Sequence, residues 1–513
     1  MKLTFLTESG PKTLSAQAGQ TIFDVLLPQY ASHISAPCGG QGTCKKCTVY
    51  LQEETGERAV LACRTLAEDG MTIRLPAAEA LEVTVSERSQ LPHILPDPEL
   101  QGYGIACDIG TTTVVCHLID LSTGRCLETC GEGNAQRIFG GDVISRIKAA
   151  SDGHLDELQA AIIGQLSRMI LSLSSSAGII PDRICRMAIA ANTTMCHLLV
   201  GLSPESIGVA PFTPLSLFGN CFDAEALGLP FAGEVYLTPA ISGYVGGDIT
   251  AGMLAAGLDN ASEPILFIDV GTNGEMALGC GNRFVSCSTA AGPAFEGAQI
   301  RYGMTAAPGA IHAVRHTDGQ VSCSILGNSP ATGLCGSGLI DAIAVMLDMG
   351  ALDETGRMLD VEDDDIPDSL TPYMTLLDDE PAFLLADGIA VTQSDVRKVQ
   401  LGKGAIAAGI QVLLQSSQTE YSDISSLLLA GGFGSYISPA SAARIGLIPA
   451  ELLSVTHAVG NTAALGAQEA LLSSASRNRL NALQQATVYK ELSGMPEFNS
   501  AYMDAMMFPG EDD

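Results

Sequence analysis

Residues 104–128 read GIACDIGTTTVVCHLIDLSTGRCLE, and residues 264–288 read PILFIDVGTNGEMALGCGNRFVSCS. Each begins as an apolar strand, breaks at Asp-x-Gly-Thr, and resumes as a second strand. A tight turn of this composition presents backbone N–H groups, adds threonine hydroxyls, and leaves a carboxylate at the strand end. The first copy supplies Asp108, Gly110, Thr111 and Thr112, and the second Asp269, Gly271, Thr272 and Asn273. One such hairpin is an ordinary β-turn. Two in one chain, set among alternating strands and helices from Tyr103 onward, indicate a duplicated α/β architecture.

The turns offer phosphate binding. Their N–H groups and hydroxyls suit phosphate oxygens, while Asp108 and Asp269 can hold Mg²⁺ through water. No Gly-x4-Gly-Lys-Ser/Thr loop competes for that role; Gly402-Lys403 lacks the glycine spacing and the hydroxyl. A third segment, LLLAGGFGSYI at 427–437, reads as a buried strand ending in Gly431-Gly432-Phe433-Gly434. Backbone without side chains can there approach a flat adenine or ribose ring.

In this order the three segments resemble the actin-like ATPase superfamily of acetate and sugar kinases, heat-shock chaperones and actin. The resemblance implies phosphate motifs at Asp108–Thr112 and Asp269–Thr272, and an adenosine motif at Gly431–Gly434. It also implies a connecting helix at Gly460–Ala467, whose small residues let two halves pack closely and pivot. The expected fold is a duplicated ribonuclease H-like (ASKHA) body with lobes at 103–260 and 261–513. Glu275 is a candidate for orienting water, with a structural polar role as the alternative.

The N-terminal part carries a different chemistry. PCGGQGTCKKC at 37–47 and LACRT at 61–65 place four cysteines as Cys38-x5-Cys44-x2-Cys47-x15-Cys63. Three thiolates from one loop and a distant fourth match a [2Fe–2S] ligand set, with the five-residue first gap of vertebrate-type and putidaredoxin-type ferredoxins. Gly39, Gly40 and Gly42 let the loop curl around the sulfurs. A structural zinc site would favour two Cys-x2-Cys pairs, and only one is present. The segment 1–78 is read as a β-grasp ferredoxin domain, and the proline-rich 79–102 as a linker.

Composition narrows the partners. The 513 residues hold 26 Lys+Arg against 57 Asp+Glu, a net charge of −31, which argues against nucleic acid or an anionic membrane. Residues 1–80 are nearly neutral, with 7 basic and 8 acidic side chains, so the charge belongs to the rest. The acid-rich stretch 351–390 reads as a solvated loop or insertion face. No run of 18 apolar residues occurs and the start lacks a signal-peptide core, so a cytoplasmic protein is expected. Of 15 cysteines, eleven lie outside the cluster pattern among apolar neighbours, as packed small hydrophobes do.

A [2Fe–2S] module joined to such an ATPase resembles the reductive activators of corrinoid proteins. Supporting stretches are Gly140–Arg146, Asn192–Met195, Gly243–Asp248, Ala291–Gly297 and Thr392–Arg397. The resemblance implies ATP-dependent reduction of a partner's inactive Co(II) corrinoid to Co(I), in a methyltransferase system, with one electron from the cluster. It further implies an upstream low-potential reductase, Mg²⁺ with ATP, and a homodimer. Two rivals stay open at this level. One is an activator of a 2-hydroxyacyl-CoA dehydratase, suggested by Cys335 in the glycine turn 333–339. The other is a small-molecule kinase with an appended ferredoxin, which leaves the cluster without a task.

Overall fold

The computed structural model describes residues 1–7, 10–26, 40, 42, 47–53, 56–76, 94–327, 329–360, 366–431 and 436–510. Strands β1 (Lys2–Thr7), β2 (Gly10–Ser15), β3 (Thr48–Glu53), β4 (Gly56–Leu61) and β5 (Thr72–Arg74) form one sheet, ordered β2-β1-β5-β3-β4. β1 runs parallel to β5, and helix α1 (Ile22–Leu26) completes the β-grasp arrangement. Alternate residues Leu3, Phe5, Val49, Leu51 and Ile73 join Phe23 and Leu26 in a separate small core.

The body holds two sheets. In the first, β6 (Tyr103–Ile109), β7 (Thr113–Asp120) and β8 (Cys126–Gly133) make an antiparallel meander. Helices α2 (Val143–Ala149) and α3 (Leu155–Ser176) follow, then β9 (Ile184–Ala191), α4 (Thr193–Leu199), β10 (Cys221–Asp223), β11 (Glu234–Leu237) and α5 (Gly247–Ala255). The order is β10-β11-β9-β6-β7-β8, with β9 parallel to β6 and to β11.

The second sheet repeats this plan from β12 (Ile265–Val270), β13 (Gly274–Cys280) and β14 (Arg283–Thr289). Next come β15 (Ala310–Thr317), β16 (Gln320–Ile325) and β17 (Gly333–Leu334) as a side sheet, and helix α6 (Gly336–Asp348). A second side sheet, β18 (Met374–Leu377), β19 (Glu380–Ala386) and β20 (Ile389–Thr392), precedes α7 (Gln393–Ser417). β21 (Ser426–Ala430), α8 (Pro439–Arg444) and β22 (Thr456–Gly460) return to the main sheet, followed by α9 (Thr462–Leu472), α10 (Ser474–Ala486), β23 (Thr487–Lys490) and α11 (Pro496–Asp504). The order is β22-β21-β12-β13-β14-β23, with β21 parallel to β12 and to β22. Both halves are thus a meander extended by parallel strands, the duplicated ribonuclease H-like plan.

Period-two alternation sets the direction of the two aspartates. Ile105, Cys107 and Ile109 of β6 pack outward against α3, so Ala106 falls in the apolar layer between the halves and Asp108 shares its strand face. On β12, Leu266, Ile268 and Val270 face the other core, so Phe267 and Asp269 turn inward. Between the halves α5 and α9 cross closely: a Cβ on Gly466 would lie 2.2 Å from the Ala251 carbonyl oxygen. The expected small-residue connecting helix is therefore α9.

Three stretches noted in the sequence gain structural detail here. The acidic stretch is not all loop, because residues 374–392 pair as β18–β20 around buried Phe383 and Val391. The linker's last part is docked: Asp97 donates its N–H to the Leu472 carbonyl (2.9 Å) and accepts from the Ser474 N–H (2.7 Å), starting α10. Thr392–Arg397 is a helix start, where Thr392 and Asp395 form a reciprocal capping box on α7. Residues 471–513, which carry no motif, add β23 to the sheet edge, and their last turn is held by Gln400, Lys403 and Arg444 bonding the Met506, Met507 and Pro509 carbonyls. No helix among the described residues is long and apolar enough to cross a membrane.

Candidate functional site: a cleft between two matched hairpins

A cleft of about 220 Å³ opens between the sheets. Asp108, Gly110, Thr111 and Thr112 line it from one half, and Asp269, Gly271, Thr272, Asn273 and Glu275 from the other, with Gly431 at its edge. Gly432, Phe433 and Gly434 lie outside the described residues. Both turns close on the N–H of their glycine, which donates from Gly110 to the Thr113 carbonyl and, in a turn one residue shorter, from Gly271 to the Asn273 carbonyl, each at 2.9 Å. Gly431 has φ of 99°, and a Cβ there would sit 2.7 Å from Asp269 Oδ1, so only glycine lets this backbone cross the carboxylate.

Residues of the supporting stretches and the connecting helix, which had no site role assigned from sequence, complete the cleft. Asn461, the N-cap of α9, accepts from the Ala464 N–H and donates from Nδ2 to Asp108 Oδ2 at 2.7 Å, joining a helix of the second half to the first hairpin. Asn192 caps α4 and donates to Thr111 Oγ1 at 3.1 Å. Arg146, fully buried, donates to the Gly140 carbonyl at 2.9 Å and to the Thr111 carbonyl, bracing the first turn from beneath. Glu296 accepts from Thr112 Oγ1 and, at 2.5 Å, from Thr272 Oγ1. Asp248, at the start of α5, adds a further carboxylate. Each lies in a stretch with its own local pattern, and only the tertiary fold shows that they converge.

The carboxylates share a confined space, and their acidities reflect it. Burial pushes Asp108 up to about 6, partly offset by the Asn461 hydrogen bond. Burial and then the neighbouring Asp108 charge take Asp248 to about 7. Asp269 rises to about 8 through burial, then Asp248, Asp108 and Glu296. Glu275, which accepts from Asn273 Nδ2 at 3.0 Å, is raised well above the ordinary range by burial and then by Asp248 and Asp269. Among the described residues no three His, Cys, Asp or Glu side chains meet as a direct metal site. The geometry suits a cation that arrives with phosphate and is held through water.

Beside the N-terminal sheet, Cys47 just before β3 and Cys63 in a 3₁₀ turn after β4 are both buried, and their sulfurs lie 3.2 Å apart. Two thiols this close fit ligands of one iron. Cys38 and Cys44 lie outside the described residues. Cys335 is also buried, at the cleft margin, with Sγ 3.5 Å from the Ile311 carbonyl oxygen. The glycine turn there packs tightly, since a Cβ on Gly338 would meet that same oxygen at 2.2 Å.

A duplicated ribonuclease H-like body with facing Asp-Gly-Thr hairpins defines the ASKHA class of proteins. Comparison with known proteins resolves the family. The profile of the RACo middle region matches residues 103–261, and that of the C-terminal domain of RACo, the ASKHA domain, matches residues 263–513. The corrinoid activation enzyme RamQ of Eubacterium limosum is 32% identical, over 92% of this chain and 93% of its own. A reductase of Methanosarcina barkeri acting on the Co(II) methylated amine-specific corrinoid protein is 28% identical, over 72% of this chain and 70% of its own. The solved structure of a reductive activator for corrinoid, iron-sulfur protein superposes with a TM-score of 0.73 at 28% identity, covering 99% of this chain and 98% of that one. The chain belongs to the RACo family of corrinoid-protein activators.

Proposed function

We propose that the protein is an ATP-dependent reductive activase, which reduces the inactive Co(II) corrinoid of a methyltransferase-system partner to Co(I). The observation that carries this reading is the pair of matched hairpins facing across one cleft, in a chain of this family. Thr111, Thr112, Thr272 and Asn273, with Gly110 and Gly271, bind the phosphates of ATP. Asp108 and Asp269 position Mg²⁺ through water, Glu275 orients water, and Gly431–Gly434 receive the adenosine. Phosphates shared by the two hairpins draw the lobes together about the α5–α9 crossing.

Cys38, Cys44, Cys47 and Cys63 hold a [2Fe–2S] cluster in the domain 1–78, and the close approach of Cys47 and Cys63 supports that ligand set. Such a cluster supplies one electron near the plant-type potential of about −400 mV. Each further 100 mV uphill costs about 2.3 kcal/mol per electron, which nucleotide-driven closure can meet. The linker 79–102 joins this domain to lobes at 103–260 and 261–513. An upstream low-potential reductase reloads the protein, which acts in the cytoplasm as a homodimer.

The test mixes reduced protein with a Co(II) corrinoid protein under anaerobic conditions and follows Co(I) absorption. Co(I) is expected only with Mg-ATP. Equal Co(I) formation without nucleotide would sink the ATP-driven reading.

A further inference from the structure

Glu296 stands where an incoming phosphate is needed. Its carboxylate accepts from Thr112 of the first hairpin and Thr272 of the second, and Oε1 lies 3.7 Å from where a Cβ on Gly271 would be. One anionic group therefore bridges the two turns that the chain duplicates. Carboxylate and phosphate oxygens are the same kind of acceptor, and each threonine hydroxyl has one proton to donate. Glu296 and a phosphate group cannot both hold that pair.

The mounting of Glu296 suits a part that is held in one place and then released. Pro293–Glu296 form a single 3₁₀ turn between Gly292 and Gly297, whose φ values are 78° and 75°. Phe295, fully buried, anchors the turn against α7, where a Cβ on Gly402 would come within 2.9 Å of its ring. The turn thus links the cleft to the longest helix of the second half.

Taking the cleft as the nucleotide site proposed above, we infer that Glu296 is an internal phosphate mimic. It latches the two hairpins in the nucleotide-free protein, and the polyphosphate of ATP expels it. Expulsion frees the Pro293–Glu296 turn from the cleft, so that nucleotide occupancy is transmitted to α7. Glu296 acts as a competitor for the site, and its removal strengthens nucleotide binding.

The experiment measures binding of Mg-adenylyl imidodiphosphate by calorimetry to the full-length wild type, Glu296→Gln and Glu296→Ala. Losing the competing charge-assisted bonds is expected to tighten binding about tenfold in Glu296→Ala. Glu296→Gln, which keeps an acceptor without the charge, falls between. Equal or weaker binding by Glu296→Ala overturns the latch and makes Glu296 a helper of the bound nucleotide. Hydrogen exchange on the wild type alone gives a second reading: amides 294–298 should exchange faster once the nucleotide is added, and slower exchange overturns the latch. If the wild type and both variants all fail to bind, the nucleotide reading itself is what falls.

Discussion

In the first hairpin Asp108 is held by Asn461, the Thr111 hydroxyl by Asn192, and the Thr111 carbonyl by the buried guanidinium of Arg146. In the second, no side chain among the described residues donates to Asp269, and burial first, then three neighbouring carboxylates, raise its pKa to about 8 against about 6 for Asp108. The turns share their Asp-x-Gly-Thr composition, the second being one residue shorter, yet one is braced by donors and the other is crowded by acceptors. Duplicated backbone did not bring duplicated electrostatics, because partners arrive from α2, α4, α5 and α9, which the two halves do not share symmetrically. The first hairpin is built to stay in place. The second has most to gain from a cation.

The largest effect should come from removing the brace. Arg146→Met strands the Gly140 and Thr111 carbonyls in the interior, and two buried unpaired acceptors at about 1–3 kcal/mol each predict a loss of roughly 2–6 kcal/mol. Thermal unfolding reads this directly, and an unchanged midpoint would break the contrast between the turns. A paired substitution sharpens it. Asp269→Asn should raise the melting temperature of the nucleotide-free protein by removing a crowded charge. Asp108→Asn should raise it less, since its carboxylate is less displaced, at about 6 against about 8, and already accepts from Asn461 Nδ2. Equal shifts from the two variants would mean the hairpins are electrostatically alike.

The remaining effect is a dependence on pH, spread over several units. Asp108, Asp248 and Asp269 titrate at about 6, 7 and 8 in the folded chain, against an ordinary 3.8. The folded state therefore binds more protons than the unfolded state across that interval, and stability falls as pH rises from about 4 to about 8. The nucleotide-free melting temperature should decline over that window, and less steeply in Asp269→Asn between pH 6 and 8. A flat profile in the wild type would remove the crowding argument.

Much of the molecule is legible along the chain. The hairpins declare themselves through local composition, and the strand period alone implies that Asp108 and Asp269 share a face with Ala106 and Phe267. The small residues of 460–467 likewise foretell a close helix crossing. The acid-rich 351–390 is read as loop or insertion face without its strands, because charge on the exposed side of a hairpin hides the alternate burial of Phe383 and Val391. Proline content marks the linker, and only the fold shows that Asp97 near its end is pinned to the start of α10.

By itself the sequence determined the duplication, the turn chemistry and the cysteine spacing, since each is read from residue types within short stretches of chain and needs no contact between them. Tertiary structure alone decided that Glu296 spans both threonines, that Asn461 reaches back to Asp108, and that Arg146 supports Thr111. Those contacts join residues between 24 and 353 positions apart, and no local period or motif encodes a pairing made by the packing of two lobes.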